Sequence, residues 1–169
     1  PAACRMSGLA EMLERPMTPP DPVVAAAVAS GPIDPADALR PAQIGRLTDP
    51  EPLVVETGWC TLPDGVAYAA VRTPMPGVTG EMVDWWFDWH QRENVRYRIW
   101  FPRAHQSIAC DPPKNPGAKP FWGARHYPVE DVGLGMDKLW IAFKRPSEIG
   151  FMTDGLEDPN VATIVGGYV

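Results

Sequence analysis

The stretch TGEMVDWWFDWH, residues 79–90, decides how the chain is read. Thr79 offers the hydroxyl that an N-cap needs, and Glu81 places a negative charge in the first turn, where the helix dipole favours it. The spacing predicts a helix over 80–91. Met82, Trp85, Trp86 and Trp89 recur at helical intervals, which predicts one broad apolar face. Tryptophan in this density suits a cavity for a flat organic ligand, and it also simply fills core volume.

Upstream of this helix, Val54–Leu62 is rich in β-branched and aromatic residues, Pro63-Asp64-Gly65 is a turn signal, and Val66–Thr73 reads as the partner strand. Downstream, Arg96–Phe101 alternates like a strand, with Tyr97, Ile99 and Phe101 on one face, and Pro102 ends it. A proline-rich loop over Asp111–Pro120 leads to further strands near Phe121–Val129, Asp137–Lys144 and Val161–Val169. The first fifty residues read as short helices between proline turns. One spans 5–15, one begins at Asp21-Pro22 and runs to Gly31, and Asp34-Pro35 repeats the same start signal. The expected division is a helical, proline-rich segment at 1–50 and a catalytic domain at 51–169.

Hairpin, helix and then antiparallel strands make an α+β fold. The order resembles a helix-grip architecture of the Bet v 1/START type, in which a curved antiparallel sheet wraps a long C-terminal helix. That helix has no counterpart in the sequence. The expectation is a chain incomplete at its C-terminus, or a second chain that covers the sheet face.

Composition narrows the function. A net charge of −6 disfavours nucleic acid and anionic membranes as partners. No apolar run approaches the length of a membrane span. The three cysteines, Cys4, Cys60 and Cys110, form no CxxC, which argues against a thiolate metal site and for a reducing, cytoplasmic setting. Neither a GxSxG, a P-loop nor a GxGxxG occurs.

The three histidines, His90, His105 and His126, can each be weighed. His105 closes a strand-like run, a suitable place for a metal ligand opening on a cavity, or for an ordinary structural imidazole. His126 and Glu130 are four apart in a segment that Pro128 keeps out of a helix, so an extended chain points both the same way; Glu130-Asp131 also reads as a solvated strand end. His90 ends the tryptophan helix, where the dipole favours a cation. Tyr97 carries a hydroxyl that needs a partner if buried, from the core or from a ligand carbonyl.

Met82–His90, the Arg96-Tyr97-Arg98-Ile99-Trp100 string, Pro102-Arg103-Ala104-His105 and the stretch Arg125–Gly133 together resemble the 2,4-diacetylphloroglucinol hydrolase and phloretin hydrolase family. The resemblance implies a zinc-dependent hydrolase that cuts the carbon–carbon bond between an acyl group and a phloroglucinol-type ring. It implies His105 and Glu130 as two of four Zn2+ ligands and Tyr97 as the contact to the acyl oxygen. Trp86, His90, Phe101 and His126 are candidates for the pocket of a small aromatic ketone, and Gln91 and Ile108 lie near positions where substrate contacts vary. A homodimer is also implied. The family's second His and Glu, four residues apart on a C-terminal helix, have no counterpart after Glu130. Two other functions remain open at this point: a helix-grip protein that binds small molecules without turnover, and a metal hydrolase of another ketone or an ester.

Overall fold

Thr79 caps its helix as the sequence predicts. In the computed structural model, which describes residues 2–114, 117–155 and 157–169, its side-chain oxygen accepts the amide of Met82 at 3.3 Å. Side chains of the first helix are described from Gly8 onward. The chain order is α1 (Ala2–Leu13), α2 (Pro22–Ala29), β1 (Gly58–Thr61), β2 (Ala67–Ala70), α3 (Gly80–Trp89), α4 (Asn94–Trp100), β3 (His105–Asp111), β4 (Arg125–Asp131), β5 (Met136–Lys138), β6 (Ile141–Lys144) and β7 (Gly166–Tyr168). Helices and antiparallel strands thus share the chain, an α+β arrangement.

Two compact units divide it. One gathers Pro1–Pro16, Thr79–Ile149 and Thr153–Val169; the other gathers Met17–Val78 with Gly150–Met152. These limits differ from a division at residue 50, because the hairpin packs on the residues that precede it. In that second unit, β1 and β2 pair from Gly58↔Ala70 to Thr61↔Ala67. Gly65 supplies the positive φ of the turn. Cys60 and Leu62 bury against Ala38, with Ile33 and Tyr68 packed alongside. Asp21 caps α2 by accepting the amide of Val23 at 2.8 Å. The similar Asp34-Pro35 signal yields only a turn, in which Asp34 accepts the amide of Ala36. The hairpin is shorter than the expected nine- and eight-residue strands, four residues on each side.

The first unit holds a five-stranded antiparallel sheet in the order β3-β4-β6-β7, with β5 also paired to β4. Its core is Phe121, Trp122, Ala124 and Phe143, with Phe87 of α3 packed against them. Helix α3 therefore turns Phe87 inward, with His90 buried at its C-cap, while Met82 and Trp85 are 53% and 54% exposed. The apolar face predicted through Met82 and Trp85 is rotated by one residue. Asp84 of the same helix is pinned by Lys119 and by the hydroxyl of Thr163, the latter at 2.6 Å.

Three strand expectations change. The run Asp137–Lys144 is two strands, β5 and β6, and the Val161–Val169 run pairs only over Gly166–Tyr168. The third matters for the site: Arg96–Phe101 is not a strand, because Arg96–Trp100 forms the body of α4 and Phe101 lies just past its end. Alternation over six residues fits either period, and local bonds decide it. Arg96 and Tyr97 both donate their amides to the carbonyl of Glu93, and the Arg96 guanidinium pairs with the Glu93 carboxylate at 2.6 Å, three residues back on a helical turn. His105 consequently opens β3 rather than ending a strand.

A methyl group added at Gly80 would fall on the carbonyl of Ala162. Although alanine is the better helix former, Gly80→Ala should lower stability by about 2 kcal/mol, because backbone must move to admit it. Urea denaturation of the variant beside the parent measures this.

Candidate functional site

The pairing of β3 with β4 builds the site. His105 stands directly opposite Glu130, and a register irregularity between His105 and Ser107 separates that pair from the regular ladder beyond. Directly opposed residues of antiparallel strands project to the same face. The His105 Nε2 and Glu130 Oε2 atoms lie 3.5 Å apart.

Helix α4 fixes both side chains from the other side. Its last four carbonyls have no partner within the helix, and that of Tyr97 takes His105 Nδ1 at 3.0 Å. A carbonyl only accepts, so Nδ1 carries the proton, and in the neutral ring Nε2 presents its lone pair toward Glu130. The Tyr97 ring stacks on the His105 ring, centroids 4.1 Å apart and planes 3° from parallel. Its hydroxyl donates to Glu130 Oε2. Burial first, and then the Glu130 carboxylate, push the Tyr97 hydroxyl far above the ordinary phenol range, so it remains a donor.

These three groups edge a cavity of about 230 Å3 whose surface also includes His90, His126 and Trp86. Its other walls are Phe87, Trp100, Ile108, Pro128, Ile141 and Phe143, all apolar. His126, Pro128 and Glu130 alternate along β4 onto this one face, as the spacing of His126 and Glu130 predicts. Phe101 does not line the cavity. Helix α4 ends at Trp100, Phe101 leaves it with φ −146° and ψ 80°, and its ring meets His105 edge-on at 6.0 Å. Trp100, one helical turn after Tyr97, takes that place; helical reading of 94–100 would have found it. Pro128 was legible from the period-two spacing between His126 and Glu130. Ile141 and Phe143 carry no local signal, since only sheet pairing brings them here.

His90 is not a cation on a helix dipole. It is 5% exposed, its Nδ1 donates to the carbonyl of Trp86 at 2.7 Å, and burial holds its pKa below the usual histidine value. His126 is sealed further, at 2% exposure, and burial with neighbouring His90 lowers it to about 4.

Does this donor set suit the zinc that the resemblance implies? An unprotonated Nε2 and a carboxylate are ordinary zinc ligands, and two ligands at tetrahedral angles around one ion sit about 3.4 Å apart. The 3.5 Å spacing of His105 and Glu130 fits. Three or four protein ligands are the rule, and among the described residues no group of three His, Cys, Asp or Glu is placed to hold an ion. The pair suits two positions of such a site.

Residues 39–169 match the family model of the DAPG hydrolase PhiG domain. The chain belongs to this family. A phloretin hydrolase of Eubacterium ramulus is 43% identical over 101 residues, covering 56% of this chain and 37% of that protein. A 2,4-diacetylphloroglucinol hydrolase of a Pseudomonas species is 34% identical over 135 residues, 75% of this chain and 46% of the relative, and one from Pseudomonas protegens matches at the same identity over 44% of its length. The chain spans less than half the length of each of these relatives. No described helix is long and apolar enough to cross a membrane.

The His126 environment has a pH signature. Its folded pKa near 4 lies below the ~6.5 of an exposed histidine, so the unfolded chain binds the proton first. Its contribution to stability is intact above pH 6.5 and declines as pH falls toward 4, by about 3 kcal/mol in all. Unfolding free energy measured from pH 7 to 4 should fall less steeply in His126→Gln than in the parent, with the remaining slope in part from His90.

Proposed function

We propose that this chain contributes one side of the active site of a metal-assisted hydrolase, which cuts the bond between an acyl carbonyl and a phloroglucinol-type ring. The observation that carries the reading is the Tyr97–Glu130–His105 cluster at the edge of an otherwise apolar, flat-walled cavity. The chain's place in its family supports the same substrate class.

His105 Nε2 and the Glu130 carboxylate would hold the zinc ion together with donors beyond this cluster. When bound, the ion supplies Lewis acidity toward oxygen and makes water a stronger acid. The chain's own groups do the rest. Trp86, Phe87 and Phe143 hold the ring between apolar surfaces and keep bulk water from it. The ring reacts as its keto tautomer, with the acyl-bearing carbon sp3. Water adds to the acyl carbonyl, and the Tyr97 hydroxyl, now a donor to Glu130, turns to donate to the oxyanion that develops there. The carbon–carbon bond then breaks, its electron pair passes into the ring as an enolate, the enolate takes up the proton that the attacking water gave up, and the products are a carboxylic acid and the deacylated phenol.

Turnover of acylphloroglucinols, read beside metal content, tests this. His105→Ala and Glu130→Gln should each lose bound zinc and at least about a hundredfold in kcat/KM. Tyr97→Phe should keep the metal and lose about a hundredfold in kcat, as removal of a single oxyanion donor does. Full activity in His105→Ala with zinc retained contradicts the assignment, and a protein that binds these compounds without cleaving them would be a binding protein of the same fold.

A further inference from the structure

Two imidazoles of the cavity take no part in the cluster just described. His90 Nδ1 donates to the carbonyl of Trp86, which leaves Nε2 without a proton. His126 is fixed by a longer chain of bonds. Gln91 gives its amide N–H to the carbonyl of Asp88 at 3.3 Å, so its oxygen turns toward His126, and His126 Nε2 must be the donor across 2.9 Å. That leaves Nδ1 of His126 as the lone-pair nitrogen. Burial keeps both rings neutral near pH 7.

Neither free nitrogen has a hydrogen-bond partner among the described residues. Both residues line the cavity, so the two unpartnered nitrogens belong to rings that form its wall. The rings are 5.6 Å apart and nearly perpendicular, at 79°. An acceptor without a donor is costly inside apolar walls. Water can satisfy these two in the free protein, and a ligand that expels it must bring donors of its own. A carbonyl or ether oxygen cannot; a ring hydroxyl can.

We propose that His90 and His126 form a pair of neutral hydrogen-bond acceptors that selects aromatic rings bearing free hydroxyl groups, and so reads the ring while the Tyr97 cluster handles the acyl group. The Trp86–His90–Tyr97 stack holds the His90 ring in place, at 5.4 Å and 5.9 Å between centroids. The pair acts on binding and specificity. It rests on the aromatic-substrate reading above, but its test requires no turnover.

The test is calorimetric titration of the full-length protein with phloroglucinol and with its trimethyl ether, neither of which carries an acyl group. Phloroglucinol should bind at least about tenfold more tightly, the worth of one well-made hydrogen bond. His90→Phe and His126→Phe should each narrow that ratio. In the unaltered protein, nitrogen-15 spectra at pH 7 should show one unprotonated nitrogen in each ring, with a shift of both on addition of phloroglucinol; this decides the matter even if a variant fails to fold. Equal affinity for the ether, no binding of phloroglucinol, unchanged discrimination in both variants, or nitrogen signals that do not move would each overturn the proposal. Discrimination without hydrolysis of any acylphenol would sustain it and refute the hydrolase.

Discussion

The register that sets His105 against Glu130 is the constraint on which the site depends. A slip of one residue along either strand would send one of the two to the opposite face. The register irregularity beside His105 marks where the ladder yields to the site. Helix α4 then locks what the strands bring together. Its C-terminal turn offers a carbonyl to His105, and the same residue, Tyr97, lays its ring on the imidazole and its hydroxyl on the carboxylate. One tyrosine thus orients both partners through backbone and side chain at once.

The rest of the cavity follows a similar rule. Each imidazole that enters it is tied on its far side to protein: His90 to the Trp86 carbonyl, His126 to Gln91, His105 to the Tyr97 carbonyl. Such ties fix tautomers as well as positions, and the tautomer decides whether an imidazole offers a proton or a lone pair. Between these groups the walls are aromatic or aliphatic. Low polarity around them strengthens every remaining hydrogen bond and keeps His90 and His126 uncharged.

Much of this was legible in the sequence where chemistry is local. Asp21 before Pro22 and Thr79 before Gly80 announce caps, and both side chains accept the expected amides. The alternation from His126 to Glu130 puts both residues on the cavity face. Local chemistry also misleads. Asp34-Pro35 carries the same signal as Asp21-Pro22 but closes only a turn. Arg96–Phe101 alternates like a strand, yet Arg96–Trp100 forms a helix, because bonds to Glu93 outweigh the pattern and α4 packs on β3 as a helix. The walls from Ile141 and Phe143 were not legible, since they arrive through pairing of β6 with β4 and no nearby residue announces it.

In the proposed function, His105 and Glu130 are two ligands of one metal ion. Anomalous diffraction at the zinc absorption edge, from crystals of the full-length protein, tests it most directly. One strong peak should lie within bonding distance of both His105 Nε2 and the Glu130 carboxylate. A zinc peak bound elsewhere, with these two side chains free of it in an active enzyme, would contradict it.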